Sequence, residues 1–99
     1  MVRAKRKKHI GDMKKLIIQY VRDNQKKLAK SFYPARKPED LEPALADKNW
    51  VHIDKYLPLS YNYEVVTEFD CRPYNDKLRA YVYTTPDGFK IENVIVQTE

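Results

Sequence analysis

The chain has 99 residues, 42% of them hydrophobic and only two of them glycine, which is enough for one folded domain and excludes a chain disordered throughout. Its single cysteine, Cys71, excludes an internal disulfide. The net charge of +5 hides a split: residues 1–37 carry thirteen Lys/Arg and two Asp (+11), and residues 38–99 carry six Lys/Arg and twelve Asp/Glu (−6).

That asymmetry points to a nucleic acid, an anionic membrane or an acidic protein as partner, or simply to two halves that attract one another. Residues 1–9 lack apolar periodicity and carry Arg3, Lys5, Arg6, Lys7, Lys8 and His9. They read as a flexible basic arm ahead of a single domain over 10–99. Lys5-Arg6-Lys7-Lys8 also fits a nuclear localisation patch, a pattern of low specificity. The expected compartment is the cytoplasm, or the nucleus in a eukaryote. Leu16-Ile17-Ile18 is too short a run for a signal peptide or a membrane span, because Gln19, Arg22 and Asp23 follow it.

Residues 12–32 predict one long amphipathic helix, with Asp12 as N-cap and Tyr33-Pro34 as the stop. Met13, Ile17, Tyr20, Val21, Leu28 and Phe32 share a stripe at a hundred degrees per residue, with Ile10 just ahead. Lys15, Gln19, Arg22, Lys26 and Lys30 lie opposite. Next comes a short helical piece bounded by prolines: Pro38-Glu39-Asp40 suits a first turn, and Leu41 and Leu45 would dock it. Trp50-Val51-His52-Ile53 is a brief strand or an extended segment.

The C-terminal third predicts strands. Residues 61–69 alternate, with Tyr61, Tyr63, Val65, Thr67 and Phe69 on one face. Residues 78–85 and 89–97 form a hairpin around Thr85-Pro86-Asp87-Gly88, Gly88 supplying a left-handed bulge residue. Setting Thr85 against Phe89 pairs Tyr83 with Ile91, Tyr81 with Asn93 and Arg79 with Ile95. The fold class is α+β: a helix packed on a three-stranded antiparallel meander. In this register both faces of the hairpin carry apolar bulk, so the face away from the helix needs a cover. The proline-rich segment, a second copy of the chain or a partner could provide it.

Three constellations bear on function. Lys15, Arg22, Lys26 and Lys30, with Arg3, Lys5, Arg6, Lys7 and Lys8 of the arm, form a row of cations able to contact phosphates. A charge run is ordinarily a solvated face, but such faces mix signs, and residues 13–37 hold one acid, Asp23. The helix offers no defensible base-reading pattern, so sequence specificity is not predicted. An anionic membrane would need the apolar stripe free of a core, so no membrane partner is expected.

The second constellation draws on the eight tyrosines. Tyr61, Tyr63, Tyr81 and Tyr83, with Arg79, form an interaction surface that suits protein anchoring better than base stacking. The third is catalytic. His9, His52 and Cys71 compose neither an acid–base pair nor a metal site, and no cofactor is expected. On a C-terminal antiparallel sheet, Arg72, Lys77, Arg79, Tyr81 and Tyr83 resemble the surface of RelE/ParE ribonuclease toxins, although the leading strand of those proteins is missing here. That resemblance implies RNA cleavage and ranks third. The first expectation is a nucleic-acid-binding or nucleoprotein-associated protein. The second is a non-catalytic interaction module, accessory or inhibitory, that docks on an acidic protein.

Overall fold

The computed structural model describes residues 2–56, 66–85 and 88–97, with side chains over 10–53, 67–83 and 88–97. Helix α1 (Val2–Asp23) and a short helix α2 (Gln25–Lys30) lead into 3-10 turns over Pro38–Leu45 and Asp47–Asn49. Four strands follow: β1 (Trp50–Tyr56), β2 (Val66–Cys71), β3 (Leu78–Thr85) and β4 (Gly88–Val96). They form one antiparallel sheet in the order β1-β2-β3-β4.

The helical region departs from the expected single helix over 12–32 at both ends and in the middle. Helical backbone reaches back to Val2, and Asp12 lies inside the helix instead of capping it. Ala, Arg and Lys rank among the best helix formers, so the basic run supports helix without an apolar stripe. Asn24 breaks the ladder. Its backbone N–H reaches both Tyr20 O (3.0 Å) and Val21 O (3.2 Å), and its side-chain amide donates to Tyr20 O at 2.8 Å. A side chain bonding into the i−4 ladder is a recognised cause of a helix break. The helix closes at Lys30, leaving Phe32 in the following turn.

The apolar stripe itself forms the core as expected. Met13, Ile17, Val21, Leu28 and Phe32 are buried, with Ala29, and Tyr20 and Ile10 pack at the margin. They meet Phe69, Cys71, Leu78, Ala80, Val82 and Val94 from the sheet.

A fourth strand corrects the three-stranded meander. β1 pairs with β2 through Trp50↔Cys71 and Ile53↔Glu68. Trp50 is buried and its indole N–H donates to Ala44 O at 2.7 Å, which ties the 3-10 helix over Pro38–Leu45 to the sheet. β2 ends later than expected, at Cys71 instead of Phe69, yet Thr67 and Phe69 do share the buried face. Tyr61, Tyr63 and Val65 lie outside the described residues.

The hairpin register holds at Tyr81↔Asn93 and Arg79↔Ile95 but shifts by one nearer the turn, to Val82↔Ile91 and Thr85↔Gly88. Glu92 is the extra residue of a bulge in β4. Gly88 does take the positive φ, +138°, that the turn requires of a glycine. The slip turns Ile91 and Phe89 to the core side, where both pack against the cluster. The face away from the helices therefore carries less apolar bulk than expected. The proline-rich segment packs instead on α1 and α2.

Candidate nucleic-acid interface

The outer surface of α1 and α2 is built by the same periodicity that builds the core. Leu28 and Ala29 point inward, which sends Lys26, Lys27 and Lys30 outward; Ile17 and Val21 do the same for Lys15 and Arg22. Lys15, Arg22, Lys26, Lys27 and Lys30 are all exposed. Among the described residues, no carboxylate stands within ion-pair distance of any of them. Two acids share this side of α1: Asp12 is half-buried one turn before Lys15, and the exposed Asp23 accepts a bond from Gln19 Nε2 (2.9 Å), while Arg22 Nη1 donates to Gln19 Oε1 (3.3 Å). Lys14 is drawn aside towards Asp47 at 3.9 Å. Arg3, Lys5, Arg6, Lys7 and Lys8 lie on the first turns of α1, and their side chains fall outside the described residues.

Where α1 meets α2, the break at Asn24 opens a cleft of about 370 Å³ lined by Arg22, Asp23, Gln25, Lys26, Lys27 and Pro38. Gln25 Nε2 donates to Pro38 O at 3.3 Å across it. Arg22, Lys26 and Lys27 share this shallow, open concavity with Asp23.

The proposed interaction surface on the sheet is differently constituted. Arg79 is committed to carboxylates: Nη1 lies 3.2 Å from Glu68 Oε2 and Nε 3.1 Å from Asp70 Oδ1. The Nε–Oδ1 contact is not aligned for a hydrogen bond, so charge holds it. Burial works against the Arg79 charge, but the hydrogen bond it donates to the Tyr81 hydroxyl and the two carboxylates outweigh it and raise its pKa. Tyr81 and Tyr83 flank the group, half-buried with Val51, Ile53 and Ile95. Tyr61 and Tyr63 lie outside the described residues. Two acids flank Arg79 and match its charge, while Lys90, paired with Tyr83, is exposed on the same face nearer the turn.

Sequence reasoning did not single out Arg36, which anchors the turn after α2. Its guanidinium sits 4.5 Å over the Phe32 ring, 5.4 Å from the Tyr74 ring centre and 3.7 Å from Asp76 Oδ2. Tyr74, buried in the β2–β3 turn, donates its hydroxyl to Asp40 O at 3.1 Å. Burial, then the neighbouring Cys71, pushes the Tyr74 pKa up to about 12, and burial with Asp70 pushes the Cys71 thiol from 9.0 to about 12.

Both groups are neutral in the fold over a range where the unfolded chain ionises. Their contribution is complete below pH 9.0 and declines as pH rises towards about 12. The loss is up to about 1.4 kcal/mol per pH unit for each group. Urea titrations at pH 8 and pH 11 should show it, with Cys71→Ala weakening the dependence. An iodoacetamide probe should label Cys71 quickly in urea and very slowly without it.

Among the described residues, no three His, Cys, Asp or Glu gather as metal ligands, and no helix is long and apolar enough to cross a membrane. No protein-family model, curated protein or solved structure matches the chain.

Proposed function

We propose that the chain binds nucleic acid through the phosphate backbone, using the outer surface of α1 and α2. The observation that carries the reading is the row Lys15, Arg22, Lys26 and Lys30: exposed, on the side opposite the core, and without a carboxylate partner among the described residues. Cations left unpaired on one surface attract a polyanion because each phosphate they neutralise releases condensed counterions. The cleft at Asn24 adds a place where Arg22, Lys26 and Lys27 can converge on one phosphate. Nothing in the row reads bases, so the binding is of the sequence-tolerant kind.

A second reading rests on the sheet face away from the helices. Val51, Ile53, Tyr81, Tyr83 and Ile95 are half-buried on the face that carries the Glu68–Arg79–Asp70 group; a second copy of the chain could use this surface, and an acidic protein would be steered to it by the basic helix. The ribonuclease reading draws no support from Arg79, whose charge is already matched.

Gentle purification separates the first two. Protein isolated at low salt should carry nucleic acid, seen as an absorbance spectrum dominated by nucleobases, and should release it on a high-salt wash. Nucleobase-free protein that instead holds one stoichiometric polypeptide after nuclease treatment contradicts the first reading.

A further inference from the structure

The turn after α2 presents one aromatic side chain in a way that nothing in the fold requires. Tyr33 is 84% exposed, whereas the only other large apolar side chain exposed among the described residues, Leu16, is 37% exposed. Its neighbours fix this display. Phe32 is buried, Arg36 closes over the Phe32 ring, and the Arg36 backbone N–H bonds back to Ala29 O at 2.9 Å. The Ser31 and Phe32 N–H groups return to Leu28 O and Ala29 O, at 2.9 and 3.4 Å. The turn is thus tied down on both sides of Tyr33, and the phenol ring points away from the core.

The surroundings of Tyr33 are cationic. Lys26, Lys27 and Lys30 are exposed on α2, Lys37 is exposed after the turn, and residues 24–38 contain no acid. Chain length alone keeps the Tyr33 Cα within roughly 11 Å of Lys30 and 14 Å of Lys37. The first acids beyond, Glu39 and Asp40, open the 3-10 helix, where Asp40 Oδ2 accepts the Lys37 N–H at 3.0 Å. A solvated ring on a tied-down turn beside a row of lysines is the combination that binds single strands: cations follow the backbone and the ring stacks a base. In a duplex the base faces are already stacked and closed to it. The sheet tyrosines do not offer the same chemistry, since Tyr81 and Tyr83 are half-buried and Tyr81 lies opposite Glu68.

We infer that Tyr33 is a base-stacking residue and that the site formed by α2 and its following turn takes single-stranded nucleic acid. This rests on the phosphate-binding reading above and narrows it to one class of ligand.

The test compares wild type, Tyr33→Ala, Tyr33→Phe and the double variant Lys26→Glu/Lys30→Glu. Binding is followed by fluorescence anisotropy with labelled oligo-dT and oligo-U of about twelve nucleotides, and with a duplex of the same length. Tyr33→Ala should weaken single-strand binding roughly tenfold and duplex binding less than about twofold, while Tyr33→Phe, which keeps the ring, binds as wild type. The oligo-dT and oligo-U arms separate DNA from RNA. As a second readout, the indole of Tyr33→Trp should be quenched by either oligonucleotide, against a constant background from the buried Trp50.

If Tyr33→Ala binds single strands like wild type while Lys26→Glu/Lys30→Glu does not, the inference fails and the phosphate reading stands. An equal loss on duplex and single strand also overturns it. If wild type binds none of the probes, both fall.

Discussion

Replacing Lys15, Arg22, Lys26 and Lys30 together by glutamate is expected to lower affinity for duplex and single-stranded nucleic acid by at least about a hundredfold at low salt. The size follows from counterion release: proteins that neutralise six to ten phosphates gain or lose roughly three to five decades over a fourfold change in salt, or about half a decade per phosphate. Losing four such cations therefore forfeits about two decades of the affinity gained on lowering salt fourfold, before repulsion by the new carboxylates is added. The fold should survive, since all four side chains are exposed and exposed substitutions usually shift stability by within about 0.5 kcal/mol each. Circular dichroism and a urea midpoint check this. Undiminished binding by a folded quadruple variant would move the site elsewhere on the molecule.

The second large effect concerns stability. Arg79→Met should destabilise the protein by about 3 kcal/mol at pH 7, because it leaves the Glu68 and Asp70 carboxylates beside each other without their cation. Glu68 is the more costly of the two, its side chain being only 8% exposed, against 26% for Asp70. Adding Glu68→Gln and Asp70→Asn to Arg79→Met should recover much of the loss. Urea denaturation at pH 7 measures both effects. A stable Arg79→Met that fails to bind nucleic acid would instead place Arg79 in the interface, against its pairing here.

The helix stripe and the hairpin were legible in the sequence because each rests on a period repeated over several residues. Met13, Ile17, Val21 and Leu28 recur at helical spacing, and Leu78, Ala80 and Val82 alternate cleanly. β1 was harder to read. Trp50 faces the core while Val51 and Ile53 lie half-buried on the other side, so no polar alternation marks the strand. The bulge at Glu92 was invisible, since a register counted outward from the turn cannot show one extra residue. It nevertheless decides which way Phe89 and Ile91 face, and with them how apolar the outer sheet face is.

The candidate site was legible for a related reason. Lys15, Arg22, Lys26 and Lys30 are placed outward by the stripe that buries their neighbours. The pairing of Arg79 with Glu68 and Asp70 depends on strand register across β2 and β3, a long-range fact that charge counts do not contain. In the sequence Tyr33 marks only a helix stop before Pro34. Its exposure becomes apparent only once Phe32 and Arg36 are seen to close the turn beneath it.

The most direct test of phosphate binding by the α1–α2 surface is the dependence of affinity on salt. For wild type, log affinity plotted against log salt should fall steeply. For the variant with Lys15, Arg22, Lys26 and Lys30 all changed to Gln, the slope on a duplex should be shallower by about 0.9 for each cation removed, or roughly 3 to 4 in all. A flat wild-type plot, or the same slope for both proteins, would contradict the account.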